Sequence, residues 1–170
     1  MGGIVGGRKS AVMPGLDVAE MQAWENFLDA ALRIYGSLNR TLSDSHKLTL
    51  VDVRLLDILD KSETGSTRMG DLAEQLLSLP SRVTRQIRRL EDAGLVQREA
   101  SPEDGRGVLA SITEKGRNVV AEAMQTYAGA VRERFIGPLT RPQIAAMGEN
   151  CRRLSAAVKT NGAPGKTGRR

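Results

Sequence analysis

The sequence holds one cysteine and one histidine in 170 residues, and aromatic side chains make up only 3% of it. A lone cysteine excludes a disulfide within the chain, which suits a reducing compartment. Structural zinc takes four nitrogen or sulfur ligands, so His46 and Cys151 cannot build such a site within one chain. Scarce aromatics argue against single-strand nucleic-acid binding, where bases stack on aromatic rings. No apolar run approaches the roughly 18 residues of a membrane helix. The opening "MGGIVGGRKSAVMPG" lacks the apolar centre of a secretion signal. No nucleophile–base pair, phosphate loop or paired-carboxylate motif stands out, which points away from an enzyme. These absences leave a cytoplasmic protein with no membrane association, for which no cofactor and no metal is expected.

What is present is an ordinary globular composition, 40% apolar and 26% charged. The length suits one domain, with two small ones as the alternative. A chain of this size buries roughly 70% of the surface its unfolded form exposes. The net charge is +5, and its placement matters more than its sum. Six of the 25 basic residues, Arg8, Lys9, Lys159, Lys166, Arg169 and Arg170, lie in acid-free ends; the remaining 19 face 20 acids. The high isoelectric point therefore belongs to the tails, and a local cluster is better evidence for a polyanionic partner.

The glycine-rich residues 1–15 and the basic Gly/Pro residues 159–170 read as disordered. Between them helical periodicity dominates. Trp24, Phe27, Leu28, Ala31, Tyr35, Leu38 and Leu42 form one face of a long first helix within residues 16–45, broken at "DSHK". Thr49 and Asp52 make a capping box for a second helix. "KSETGST" reads as a loop and "MGDLAEQLL" as a short third helix. "SLP" reads as a tight turn, with Pro80 in the first turn of a fourth helix that Gly94 stops. "LVQREA" and "VLASIT" flank Asp104-Gly105, a hairpin signal. Thr113 opens a fifth helix that ends at Gly137-Pro138. Thr140 and Gln143 open a sixth, whose Ile144, Met147, Cys151, Leu154 and Val158 form a packing seam. Cys151 and Trp24 therefore read as core packing residues. The expected architecture is mainly α with a small β-hairpin wing: six helices in a winged helix-turn-helix plan.

The fourth helix carries four arginines within residues 82–89. At about 100° per residue, Val83, Ile87 and Leu90 cluster within about 60° and form its buried stripe. Ser81, Arg85 and Arg88 point the opposite way, with Arg82 and Arg89 on one flank and Thr84 nearer the other edge. A charge run is commonly only a solvated face. Here, though, every charge from 82 to 89 has one sign, so alternating-sign pairs cannot be stabilising the helix. A helix that fits the major groove can pair arginine with guanine, and its hydroxyls and N-terminus suit phosphates. Arg106, at the hairpin tip beside Asp104, is placed to enter a minor groove.

"RMGDLAEQLL", "PSRVTRQIRRLEDAGLVQRE" and "PEDGRGVLASITEKGR" together resemble the MarR family of winged-helix regulators, over most of residues 20–158. The resemblance implies a homodimer with interleaved N- and C-terminal helices (residues 16–45 and 114–158) around a DNA-binding domain at 46–113. It implies a palindromic operator in double-stranded DNA and a ligand-responsive repressor. Carried over residue by residue, Ser81, Arg82, Thr84 and Arg85 match the start of the reading helix, with Arg88 on the same face. Asp104 and Arg106 match the wing pair. Arg89 matches a frequent family arginine that either touches DNA or pairs with acids. A small aromatic or anionic effector would sit between dimer helices and reader, with Trp24, Phe27, Tyr35, His46 and Arg54 as candidate contacts. The order Ser78-Leu79-Pro80 departs from the usual serine cap: either Ser78 caps one residue early or Leu79 takes a poor cap position. Two other readings stay open, a winged helix used for protein interaction and a non-specific architectural DNA protein driven by the tails.

Overall fold

The computed structural model describes residues 13–100 and 107–161, with side chains through Lys159. The disorder expected at 1–12 and 162–170, and the wing pair Asp104 and Arg106, lie outside the described residues. The chain divides into two units, one ending at Ser37 and one beginning at Leu38.

In the first unit, residues 13–15 form a turn, where disorder was expected. Helix α1 (Val18–His46) begins there. Its start is held reciprocally: the Asp17 amide donates to the Glu20 carboxylate and the Glu20 amide to Asp17, both at 2.9 Å. Trp24 and Phe27 lie with ring centroids 6.0 Å apart. The expectation that Trp24 is a core residue fails for the single chain, where it is 47% exposed. Phe27, Leu28, Leu32 and Tyr35 in the same helix are exposed as well among the described residues.

The second unit builds the core. The last turns of α1 bury Leu38 and Leu42. The break expected across "DSHK" falls only at its final residue, Lys47, whose φ of 57° ends the helix. Helix α2 (Leu50–Lys61) starts on the expected Thr49 capping box. The stretch read wholly as loop contains strand β1 (Ser66–Arg68). At three residues it is too short to show alternation. Helix α3 (Met69–Gln75) and helix α4 (Pro80–Asp92) follow. Strands β2 (Val96–Ala100) and β3 (Val108–Ile112) pair antiparallel, Val96 opposite Ile112 and Ala100 opposite Val108. Strand β1 joins the other edge of β3, so the expected hairpin is part of a three-stranded sheet of order β1-β3-β2. Leu55, Leu56, Leu59, Leu72, Ile87 and Leu90 are all essentially inaccessible to solvent. Each such side chain contributes roughly 1.5–3 kcal/mol through burial.

Thr113 caps helix α5 (Glu114–Val131) by accepting the Gly116 amide. The chain then widens into a π-helical turn over Arg132–Ile136 before Gly137. Helix α6 (Arg141–Asn161) runs through residues 159–161, which were expected to open the disordered tail. Cys151 is exposed, not buried as its seam position suggested. Met147, Leu154 and Val158 on the same seam are exposed as well among the described residues, while Ile144 is half-buried.

Candidate nucleic-acid interface

Helix α4 is fixed along its inner side and at its C-terminal end. Val83, Ile87 and Leu90 are buried, as the wheel predicted. Beside them lies Asp52, in the first turn of α2 and wholly inaccessible. Its carboxylate accepts from the Thr49 amide at 2.7 Å, the Thr49 hydroxyl at 2.6 Å and the Gln86 amide group at 2.8 Å. It also pairs with Arg89. Burial pushes the carboxyl up, but bonds from Thr49, Gln86 and Arg89 together outweigh this and hold it below the ordinary aspartate range. One acid thus caps α2 and grips α4 at two points one turn apart. Arg89 takes its structural reading, since its guanidinium is turned to Asp52.

The C-terminal end of α4 is anchored by "TEKG". Gly94 takes φ of 71°, which a side chain would resist. Lys115 donates to the Ala93 carbonyl at 2.8 Å, and the Thr113 hydroxyl donates to Gly94 at 2.9 Å. A Cβ on Gly116 would lie 2.2 Å from the Leu95 carbonyl oxygen, so only glycine lets α5 start this close to α4. Arg98 on β2 donates to Glu91 at 2.8 Å and holds that carboxyl below its usual range. Helix and sheet are thereby joined.

The outer face is different. Ser81, Arg82, Arg85 and Arg88 are exposed. Among the described residues, Arg82 and Arg85 have no acid within ion-pair distance, and residues 76–90 include no acid at all. Arg88 lies near enough to Glu91 to lower its carboxyl without forming a close pair. Thr84 is half-buried and its hydroxyl donates to the Pro80 carbonyl at 2.9 Å. With that proton engaged, its oxygen suits a base amino group better than a phosphate. Thr84 also lines a groove of about 550 Å³ with Arg68, Met69, Asp71, Arg98 and Val108. Arg68 and Arg98 were not among the expected site residues; Arg98 stands at an exposed position of β2, and Arg68 ends β1, which the sequence pattern does not reveal. Leu79 occupies the N-cap with no side-chain bond to the helix, which settles the open choice at Ser78-Leu79-Pro80.

Of the candidate effector contacts, Trp24, Phe27 and Tyr35 are exposed on the first unit. In the second, Arg54 is exposed and His46 shares a 2.8 Å hydrogen bond with Thr126.

The family model of the MarR family matches residues 48–108, the stretch from the α2 cap to β3. The HTH-type transcriptional repressor Rv2887 of Mycobacterium tuberculosis is 34% identical over 96 residues, covering 56% of this chain and 67% of that protein. The chain belongs to the MarR family. AbsC, a MarR family transcriptional regulator from Streptomyces coelicolor, superposes with a TM-score of 0.81 at 28% identity, covering 87% of this chain and 99% of its own. Sco3205 from the same organism, solved in complex with DNA, gives 0.82 at 29% identity, over 91% of this chain and 95% of its own. In this MarR protein, as in the fold at large, helix α4 occupies the second position of the helix-turn-helix.

Proposed function

We propose that this MarR family protein is a sequence-specific regulator of transcription, a repressor that binds a palindromic site in double-stranded DNA as a homodimer. One observation carries the reading: α4 is clamped from behind and presents an outer face with arginines and no acid. Ser81, Arg82, Thr84, Arg85 and Arg88 are assigned to DNA, with Asp104 and Arg106 as the wing pair. The apolar residues that α1 and α6 leave exposed among the described residues support dimer formation through residues 16–45 and 114–158, around the reader at 46–113. Two readers about 34–36 Å apart would meet successive major grooves. A small aromatic or anionic effector contacting Trp24, Phe27, Tyr35, His46 or Arg54 would shift that spacing and release the site. This activity belongs to the cytoplasm, where such a regulator meets its DNA.

The test is to sequence the duplexes that purified protein selects from random DNA. A palindromic consensus supports the reading. Arg85→Ala and Arg106→Ala should then each weaken binding to it while leaving the dimer intact. Salt-independent binding would favour a protein-interaction module. Salt-dependent binding without a consensus, lost on removing residues 1–12 and 159–170, would favour an architectural DNA protein.

A further inference from the structure

Two local rules fail side by side where α4 begins. Leu79 sits at the N-cap, the position that Ser, Thr, Asp or Asn normally fills, and its side chain makes no bond to the helix. By contrast α2 and α5 both start on a capping threonine. Leu79 is 61% exposed. Two residues earlier, Leu77 adopts φ of 50°, a left-handed conformation that a leucine resists. At 84% it is the most exposed large apolar side chain among the described residues. The other strongly exposed apolar residues, Val18, Leu32, Leu154 and Val158, belong to α1 and α6. The two leucines belong to the turn that leads into the reader.

Apolar exposure and a missing cap both cost stability, and breaks in local rules collect where function demands them. The surroundings identify the occupant. Leu79 is followed directly by exposed Pro80, Ser81 and Arg82, in a stretch with no acid. The N-terminal residues of a reading helix are those that reach base edges. In the major groove the one apolar group on a base pair is the 5-methyl of thymine.

We propose that Leu79, with Leu77 extending its apolar surface, reads thymine methyl groups in the operator half-site. This rests on α4 being the DNA-reading helix. It assigns the arginines to phosphates and guanine and the uncapped helix start to thymine. Adding a hydroxyl at Leu79 would gain a cap and lose that contact.

The experiment uses the full chain and its selected operator, with each thymine of one half-site replaced in turn by deoxyuridine, which lacks only the methyl. Burying one methyl group predicts about a fourfold loss of affinity at one or two positions near the centre of the α4 footprint. Leu79→Ser should bind thymine and deoxyuridine duplexes equally at those positions and should melt no lower than the parent. Leu77→Ser serves as the second variant, with a smaller loss of discrimination. Equal affinity of the parent for all substituted duplexes overturns the proposal and leaves the DNA reading standing. So does a discrimination that Leu79→Ser retains, or a half-site without thymine. Absence of any salt-dependent duplex binding overturns both.

Discussion

Helix α4 carries the same kind of residue in opposite roles. Arg89 closes a network around a wholly buried carboxylate. Arg85, about one turn away, and Arg82, about two turns away, pair with no acid among the described residues. The contrast teaches that positive charge on a reading helix divides by partner and not by count. One arginine holds the helix in place, and Arg82 and Arg85 have no acid beside them among the described residues. A guanidinium committed to a buried acid has little left to offer a phosphate, and one without an acid is the natural counterpart of polyanionic DNA.

That division can be broken from the inside first. Asp52→Ala removes the acceptor for Thr49, Gln86 and Arg89 together. Breaking a buried pair by removing one partner costs about 3 kcal/mol or more. The melting temperature should fall by about 10 °C in a chain of this size, read by calorimetry, with DNA binding falling as a consequence. Gly116→Ala should follow at about 2 kcal/mol, because the added Cβ collides with the fixed Leu95 carbonyl and not with a side chain that can move. Thermal melts check this, and an unchanged melt would show that the α4–α5 junction is looser than its geometry.

On the outer face the effects move from stability to affinity. Arg85→Ala should leave the melt unchanged and cost about 1–3 kcal/mol of operator binding, measured by titration of labelled duplex. The smallest effect is on acid stability. Because the Asp52 carboxyl is held low in the folded protein, its contribution is complete above the ordinary aspartate value and is lost as pH falls through the folded one. Below about pH 4 the parent should lose stability more steeply than Asp52→Asn, by denaturant titration at a series of pH values.

Much of the reader was legible because it is local. Thr49 with Asp52, Pro80, Gly94 and Thr113 mark helix ends by chemistry confined to a few residues, and each element end falls within a residue or two of those marks. The buried stripe of α4 follows from helical period alone. What stayed hidden depends on distant partners. Asp52 showed its capping role but not its grip on Gln86 and Arg89, which lie 34 and 37 positions away. Strand β1 exists because β3 offers it an edge, and three residues carry no pattern. The seam of α6 was correctly seen as apolar, yet Cys151 is exposed because periodicity names a sticky face without saying whether the chain itself covers it. The wing pair Asp104 and Arg106 remains an expectation of the sequence.

The central claim is that Arg85 serves DNA and Arg89 serves the helix. It is tested most directly by the salt dependence of operator binding in Arg85→Ala and Arg89→Ala, compared with the parent on one duplex. Each lost phosphate contact lowers the slope of log affinity against log salt by about 0.9; a lost base contact lowers affinity at constant slope. The account predicts weaker binding for Arg85→Ala with an unchanged melting temperature. It predicts a lowered melting temperature and an unchanged salt slope for Arg89→Ala. A reduced slope with an intact melt for Arg89→Ala, alongside undiminished binding by Arg85→Ala, would contradict it.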